Sequence, residues 1–512
     1  MQGPITPSVT PGKVETFSAC VGGWNARDPV AAMQPTDAVA MVNWFPRQAD
    51  VITRLGYASA CDLGTGAEVK SLFEYDFGQK QTLIAASAGG LYESGTDTPV
   101  TLATGYTDDH WSGDILSGHL FLANGVDTMQ VYDGTTVANA TFTGSGLDLT
   151  KLNFLKTFKS RVFAVEKNSQ KMWYGGNTSI TGTLTAFNFA NVGGFRGNLM
   201  ILAQISRDGN SGRAALFVAI FESGDCAVYD GSDPGDASNW GIVGRFKIGR
   251  PLSRFAVHET ESEVYVLTDR GYEGISRSMP KGSEATRQDL RSAKISLAVS
   301  DAIRAVGRND LWRCIVSPRD EMFIVNVPSA GASAAPEQHV QNVNTKAWTK
   351  FNQLDMQSFA MMGGKLHFGT SGGIVMVYGD VMTDNGNAIV CDLQTAWNGL
   401  RDAARKKLVT HICPYFYSLY VPEVSLAVGK NFTDPGVGLT SQYSAALPPE
   451  AIWDEAEWDA AVWGAEARAF QTWRKRTVNK ALQVSTRITV SVNASRVQWQ
   501  AISYLFQPGG IR

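Results

Sequence analysis

The sequence predicts an all-β fold, a β-propeller of about six to seven blades with a smaller C-terminal β domain and few helices. A unit of two short strands joined by a polar turn recurs along most of the chain. Most neighbouring copies lie about 40 to 55 residues apart, the period of four-stranded propeller blades. The composition, with 51 Gly and only 18% charged residues, suits strands joined by tight turns.

The clearest copy of this unit is the segment LFLANGVDTMQVYDG at residues 120–134. Its Asn124-Gly125 pair between two apolar runs predicts a β-hairpin. Several copies have an aromatic residue at or near the end of their second strand, and we expect these side chains to be at least half buried between blades. The aromatic residues concerned are Tyr132, Trp173, Tyr229 and Tyr378, and the other copies are residues 85–92, 162–177, 216–231, 264–276, 322–349 and 366–379.

Three regions follow from this pattern. Residues 1–60 are an N-terminal arm and packed lead-in, residues 61–380 are the propeller, and residues 381–512 are a C-terminal β domain. In the lead-in, Thr36 or Asp37 is a candidate cap for a short helix that buries Ala38, Met41 and Val42 and stops at Pro46.

Further elements are predicted from hydrophobic periodicity. Within the repeat region, residues 294–306 predict a helix whose apolar stripe is largely Ile295, Leu297, Val299, Ile303 and Val306. In the C-terminal region, apolar and aromatic runs predict four strands, at residues 389–397, 408–420, 424–428 and 482–492.

Charge and cysteine content restrict the class of protein. The formal net charge of -3 favours neither a nucleic-acid binder held by phosphate contacts nor an acidic tail protein. The six cysteines are far apart and predict reduced core thiols. No secretory signal pattern and no run of some 18 apolar residues is present, so we expect synthesis in a reducing cytosol and no membrane partner.

A search for catalytic and metal-binding motifs yields no catalytic, cofactor-binding or metal-binding residue. The six histidines are never spaced as a metal pair, and no GxSxG, HExxH or Walker motif occurs. Asp108-Asp109-His110 is a conceivable ligand cluster, but a polar turn before a strand is the favoured interpretation. The Asp-Gly pairs at 133–134 and 230–231 are interpreted as turns rather than calcium sites.

Two further features are candidates for contacts with partners. Trp453, Trp458 and Trp463 are spaced five residues apart among acidic residues, which fits an interface with an apolar centre and a charged rim, or the core of the C-terminal domain itself. The basic residues are candidate contacts with DNA phosphates, although a solvated face or a salt-bridged subunit contact is favoured. They are Arg405, Lys406 and Lys407 in one run, with Arg401 nearby, and Arg474, Lys475 and Arg476 in the other.

The lead-in carries a resemblance to a known family. Its segments GGWNARDP, MQPTDAVAMVNWFP and RLGY resemble the opening of the tail hub, or nozzle, proteins of short-tailed bacteriophages, also called packaged-DNA-stabilisation proteins. Hairpins of the NGxD…YDG type, the later segments QHVQNVNTKAWTKF and KLHFG, and residues 392–400 are similar to further parts of that family. The resemblance spans nearly the whole chain, and each motif alone is moderately specific.

The resemblance implies a structural virion protein rather than an enzyme. It implies a homohexameric ring below the portal adaptor ring that anchors tail fibres or spikes, surrounds the genomic DNA without sequence specificity and retains it. The protein would be made in the host cytoplasm and located in the virion tail. The alternative is a carbohydrate-binding or glycan-cleaving propeller at the tail surface.

Overall fold

The computed structural model describes residues 12–209, 212–260, 263–278, 290–329, 336–420, 422–436, 439–442 and 468–511. The chain divides into two compact units. One unit comprises Met1–Tyr57, Val340–Asn352 and Asp380–Arg512, and the other comprises Ala58–His339 and Gln353–Gly379.

β-strand is the predominant secondary structure of the described residues. The strands of the lead-in are β1 (Lys13–Ser18), β2 (Gly23–Trp24), β3 (Asp37–Val42), β4 (Trp44–Pro46) and β5 (Val51–Thr53). Those that follow are β6 (Tyr57–Asp62), β7 (Val69–Phe77), β8 (Lys80–Ser87), β9 (Gly90–Glu93), β10 (Val100–Thr104), β11 (Ser112–Leu116), β12 (His119–Ala123), β13 (Gln130–Tyr132), β14 (Val137–Asn139), β15 (Phe142–Thr143), β16 (Leu152–Phe158), β17 (Arg161–Glu166), β18 (Lys171–Tyr174), β19 (Gly182–Thr183), β20 (Thr185–Asn188), β21 (Leu199–Gly209), β22 (Gly212–Phe221), β23 (Asp225–Gly231), β24 (Trp240–Lys247), β25 (Val257–Glu259), β26 (Val264–Thr268) and β27 (Gly271–Gly274). The remaining strands are β28 (Arg313–Ser317), β29 (Met322–Val327), β30 (Glu337–Asn342), β31 (Trp348–Phe351), β32 (Ser358–Met362), β33 (Lys365–Gly369), β34 (Ile374–Tyr378), β35 (Ile389–Thr395), β36 (Arg405–Ser418), β37 (Glu423–Lys430), β38 (Leu439–Gln442), β39 (Arg468–Gln471), β40 (Arg474–Ala481), β41 (Val484–Val492) and β42 (Val497–Ile511).

The second unit is a β-propeller, as predicted. Six of its blades are separate antiparallel sheets: β7–β10, β11–β14, β16–β18 with β20, β21–β24, β25–β27, and β32–β34 with β6. The hairpin β28–β29 occupies the remaining blade position, between the fifth and the last of these sheets in chain order. The last sheet combines β6, from the start of the repeat region, with three strands from its end, so it joins the two ends of that region.

The first strands of the blades form the inner ring of the propeller. Each inner strand contacts the next one, and β32 contacts β7, which closes the ring. The inner strands are β7, β11, β16, β21, β25, β28 and β32. The number of blades therefore lies in the predicted range of six to seven.

The predicted hairpin units are confirmed. In the segment at residues 120–134, β12 pairs with β13 across a turn in which Gly125 has a φ of 80°. The Oδ1 atom of Asn124 accepts hydrogen bonds from the backbone amides of Val126 and Asp127, which fixes the turn. The aromatic residues at the ends of the units, Tyr132, Trp173, Tyr229 and Tyr378, are all buried.

The predicted helix at residues 294–306 is present as α2 (Ser296–Val306), after a 3-10 turn at Ala293–Ile295. Ile295 and Val299 are buried as predicted, but Leu297 is 58% exposed. The inclusion of Leu297 in the stripe was wrong because a residue two positions from a buried one points about 200° away around a helix. A short helix, α1 (Ile275–Ser278), and further 3-10 turns at Leu149–Lys151 and Phe189–Asn191 are also present.

The predicted helix in the lead-in was wrong, because residues 37–42 form the strand β3. Ala38 and Met41 are both buried, which matches the spacing of a helix face. A β-bulge between Ala38 and Ala40, opposite β35, shifts the register by one residue. The bulge thus places two residues that are three apart on the same side of a strand.

The described residues of the first unit form two sheets that share a hydrophobic core. One sheet has the order β39-β36-β42-β5-β4, with β1 beside β42 and β40 beside β36. In the other, β31, β2, β3, β35, β41, β37 and β38 follow one another. Apolar side chains from both sheets, among them Trp44, Phe416, Ile488 and Trp499, form the core.

The unit boundaries differ from the predicted three-part division. The predicted propeller range, residues 61–380, differs from the second unit mainly by residues 340–352, and otherwise by residues 58–60 at its start and residue 380 at its end. The lead-in is not a separate region, because β1, β4 and β5 share a sheet with the C-terminal strand β42. The four predicted C-terminal strands correspond to β35, β36, β37 and β41, whereas β38, β39, β40 and β42 were not predicted.

Candidate functional site

The central channel of the propeller contains cavities with converging polar groups. Its narrow part, about 540 Å³, is lined by residues of six inner strands or their flanks, among them Glu74, Asp114, Lys156, Glu259 and Arg313. We call this part the narrow cavity. This site was not predicted from the sequence, because its residues come in groups of up to four from strands that lie far apart along the chain.

Two arginines cross the channel at the end where the inner strands begin. Arg254, which precedes β25, donates hydrogen bonds to the carbonyls of Asn124, Asn153 and His110, at 3.1, 3.2 and 2.9 Å. Those carbonyls belong to the second and third blades, so the side chain spans the ring rather than bridging adjacent blades. Its Nε atom lies 3.3 Å from a carboxylate oxygen of Asp310.

Arg313, at the start of β28, crosses the channel in the same layer. It donates a hydrogen bond of 2.7 Å to the carbonyl of Lys70 on the first blade. The guanidinium groups of Arg313 and Arg254 lie 4.3 and 4.7 Å from the ring centroid of Phe255. Burial lowers the pKa of Arg313 to about 10, so the group stays charged at neutral pH. These three side chains, which we call the arginine layer, obstruct this end of the channel.

An ion-pair cluster lies further along the channel. Lys156 on β16 is 2.8 Å from the carboxylate of Glu259 on β25 and 3.7 Å from that of Asp114 on β11. Burial disfavours the charged form of Lys156, but the two carboxylates outweigh it and raise its pKa. The cluster connects the second, third and fifth blades, and its side chains are between 20% and 31% exposed.

Beyond this cluster lies a second, larger cavity of about 1040 Å³, which we call the wide cavity. His258 and Glu259 line both cavities, so the two are adjacent. Gln204 and Ser206 from β21 and Met361 from β32 line the wide cavity. Burial, together with the charge of Lys156, lowers the pKa of His258 to about 4, which keeps its imidazole neutral at pH 7.

The two predicted basic runs lie on the neighbouring strands β36 and β40 of the first unit, but not side by side. Lys407 is paired with Ala481, whereas Arg474 is paired with Ile412. The offset of five residues along β36 corresponds to roughly 16 Å. The strand pairing therefore does not bring the two runs together into one patch.

The individual basic side chains differ in their environment. Lys407 is buried, and its ammonium donates hydrogen bonds to the carbonyls of Asp402, Arg405 and Leu482. Arg405 is exposed and lies 3.5 Å from Asp402. Lys406 and Arg474 are partly buried, Lys475 is exposed, and Arg476 donates a hydrogen bond to the carbonyl of Leu426. Trp453, Trp458 and Trp463 lie outside the described residues.

The acidic residues weighed as possible ligands take part in local contacts. Asp108 lies 2.8 Å from Nδ1 of His110, and this contact lowers its pKa to about 2. The carboxylate of Asp133 accepts hydrogen bonds from the amides of Thr135 and Thr136, as in a turn. Over the described ranges, no group of three His, Cys, Asp or Glu side chains is arranged to hold a metal ion. All six cysteines are buried and free, as predicted.

The residues of the lead-in that carry the family resemblance form buried polar networks. Asn25 donates hydrogen bonds to Asp28 and Asp37, which joins the GGWNARDP segment to the MQPTDAV segment. Arg54 of the RLGY segment forms a buried bidentate ion pair with Asp384 and donates a hydrogen bond to Asn43.

Neither the family models nor the curated proteins include a match to this chain. Solved structures do match, at low similarity. The computationally designed Ika8 protein is 11% identical, with coverage of 63% of this chain and 99% of its own and a TM-score of 0.37. YCF48 from Cyanidioschyzon merolae is 10% identical, with coverage of 63% and 98% and a TM-score of 0.38.

BamB from Moraxella catarrhalis is 9% identical, with coverage of 72% of this chain and 97% of its own and a TM-score of 0.34. Similarities at this level carry no argument about what this chain does. In the part of the chain that the structure describes, no helix has both the length and the apolar character needed to cross a bilayer.

Proposed function

We propose that this chain is a structural virion protein of a short-tailed bacteriophage, a tail hub or nozzle subunit. It forms a closed homohexameric ring around the DNA exit path below the portal adaptor, retains the packaged DNA and anchors tail fibres or spikes. The observation that carries the proposal is that the residues of the lead-in resemblance form connected buried networks. Each residue in such a network can be replaced only if its hydrogen-bond partners change too. The occurrence of the whole set is therefore a more specific similarity than a similarity in amino-acid composition.

The network around Arg54 illustrates this constraint. The guanidinium uses all of its N–H groups, on Asp384, Asn43 and the carbonyls of Leu55 and Asn352. Gly56 follows, and a Cβ atom there would lie 2.0 Å from the carbonyl oxygen of Thr383. The RLGY segment therefore needs both its arginine and its glycine, together with a partner segment from beyond the repeat region. A structural role accounts for every one of these contacts.

The propeller channel is consistent with a DNA path that lies outside the individual propeller. Arg254 and Arg313 cross that channel, so a DNA duplex cannot pass along it. In the proposed ring, the conduit is the space enclosed by several subunits. The ammonium of Lys407 is hydrogen-bonded to backbone carbonyls, and the formal net charge of the chain is -3. Both features suit a wall along which DNA slides, because a wall with many strong phosphate contacts would hold the DNA in place.

Negative-stain electron microscopy of the purified full-length protein tests the proposal. We expect rings with sixfold symmetry and an open centre, and a sedimentation coefficient that corresponds to six chains. A protein that remains a monomer or a trimer at micromolar concentration, both alone and with the portal adaptor, would contradict the proposal. Glycan hydrolysis by such a monomer or trimer would favour the alternative, a glycan-cleaving propeller.

A further inference from the structure

The wide cavity of the propeller is lined in part by polar side chains that form no hydrogen bond with other described residues. They are the side-chain amide of Gln204, the hydroxyl of Ser206 and the imidazole of His258, which have no hydrogen-bond partner among the described residues. All three are partly buried and line the same cavity. Partly buried polar groups that converge on one cavity without protein partners indicate a place for a polar ligand.

These groups offer both donors and acceptors. The amide of Gln204 and the hydroxyl of Ser206 each donate and accept, and the neutral imidazole of His258 has one nitrogen of each kind. The carboxylate of Glu259, held by Lys156 at 2.8 Å, adds a fixed acceptor on the wall of the cavity. A hydroxyl group, which donates and accepts at the same atom, matches such a mixture.

The charge and the remaining lining restrict the ligand further. Glu259 and Arg319 are the charged residues among those that line the wide cavity, so neither sign is in excess. Val316, Pro318 and Met361 give the wall an apolar part. A saccharide has hydroxyl groups along its edge and C–H groups on its faces, and therefore fits both parts of the wall. The cavity is of a size that accommodates small organic ligands.

We propose that the wide cavity is a binding site for a neutral saccharide of one or two sugar units, with Gln204, Ser206, His258 and Glu259 as its hydrogen-bonding residues. The arginine layer obstructs the far end of the channel, so the ligand enters and leaves by the wide end. This site lies within a single propeller. The proposal does not depend on whether the chain assembles into a ring.

The test is binding of defined neutral sugars to the full-length protein. The probes are D-glucose, D-galactose, N-acetyl-D-glucosamine and L-rhamnose, measured by saturation-transfer-difference NMR and titration calorimetry. We expect at least one of them to bind with a Kd below about 10 mM. Glucuronate and glucosamine, the charged analogues, should bind no more tightly than the best neutral sugar. No binding by any of the four, or a charged analogue at least tenfold tighter, would overturn the proposal.

Two variants place the binding in the wide cavity. Ser206→Trp fills the cavity, and Gln204→Leu removes the amide at nearly constant volume and serves if the first variant does not fold. Each should weaken binding of the best sugar at least tenfold. The matched control is Thr104→Trp on the exposed outer strand of the first blade, which should bind as the unaltered protein does. Equal binding by Gln204→Leu and Thr104→Trp would show that the sugar binds elsewhere, and would overturn the proposal.

Discussion

At the scale of single residues, burial in the propeller blades decides which side chains are costly to remove. Tyr229 packs against Trp240 with ring centroids 5.0 Å apart and against Phe187 and Phe189, and its side chain is buried. Its hydroxyl has no hydrogen-bond partner among the described residues. The ring contributes stability through its apolar area, and the hydroxyl contributes little.

We therefore expect Tyr229→Ala to lower the free energy of unfolding by about 3 kcal/mol or more, because the ring leaves a cavity. Tyr229→Phe keeps the ring and is the matched control, with an expected change within about 1 kcal/mol. Urea denaturation followed by tryptophan fluorescence measures both. Equal loss in the two variants would mean that the hydroxyl, rather than the ring, is the stabilising part.

His258 makes the stability depend on pH. Its pKa is lowered to about 4 in the folded protein by burial and by Lys156, with Glu259 alongside. An unfolded chain binds a proton at this histidine near pH 6.5, so it binds more protons than the folded chain between those two values. The contribution of His258 to stability is therefore lost progressively as pH falls from about 6.5 to 4.

At pH 5 the free energy of unfolding is lower than at pH 8 by about 2 kcal/mol because of His258. We expect His258→Gln, which cannot be protonated, to lose less stability than the unaltered protein between pH 8 and pH 5. His119→Gln, on a different blade and outside both cavities, should retain the original dependence. Urea denaturation at the two pH values measures the difference. An unchanged pH dependence in His258→Gln would refute this assignment.

At the scale of elements, the arginine layer connects strands that do not share a sheet. Arg254 holds three carbonyls of the second and third blades from its position before the fifth blade. Arg254→Met should lower the free energy of unfolding by about 3 kcal/mol, because the three carbonyls lose their donor and Asp310 loses its ion-pair partner. Arg304→Met, at a side chain that is 77% exposed on α2, is the control and should change it by less than about 0.5 kcal/mol. Equal effects, measured by urea denaturation, would contradict a role in joining blades.

The elements that could be predicted from the sequence are those whose conformation is set by neighbouring residues rather than by distant strands. The Asn124-Gly125 turn could be predicted because these two residues specify it by themselves. Asn124 Oδ1 accepts the backbone hydrogen bonds of the turn, and Gly125 adopts its positive φ. The strand β3 was mistaken for a helix because its bulge is imposed by pairing with β35, which lies on the far side of the whole repeat region in the sequence. The long strand β42 was not predicted for the same reason, because its pairing partners β36, β1 and β5 are distant in the sequence.

At the scale of the whole molecule, the acidic tryptophan segment is the candidate contact between subunits. Trp453, Trp458 and Trp463 remain a prediction from the sequence. If they form an interface, Trp458→Ala should leave the cooperative unfolding of the single chain unchanged but shift ring assembly to at least tenfold higher protein concentration. Sedimentation velocity together with thermal unfolding separates the two effects. Loss of the cooperative transition, with rings intact among the molecules that remain folded, would instead assign the tryptophans to a core.

The sequence by itself determined the class of fold, the hairpin repeat and the burial of its aromatic ends, because turn residues and alternating apolar residues act over a few positions. Only the tertiary structure decided where the channel groups meet. Lys156 and Glu259 belong to different blades and come together because the ring brings their inner strands to one axis. It also decided that Lys407 is buried on backbone carbonyls, since a basic run has the same composition whether its ammonium faces water or the protein interior.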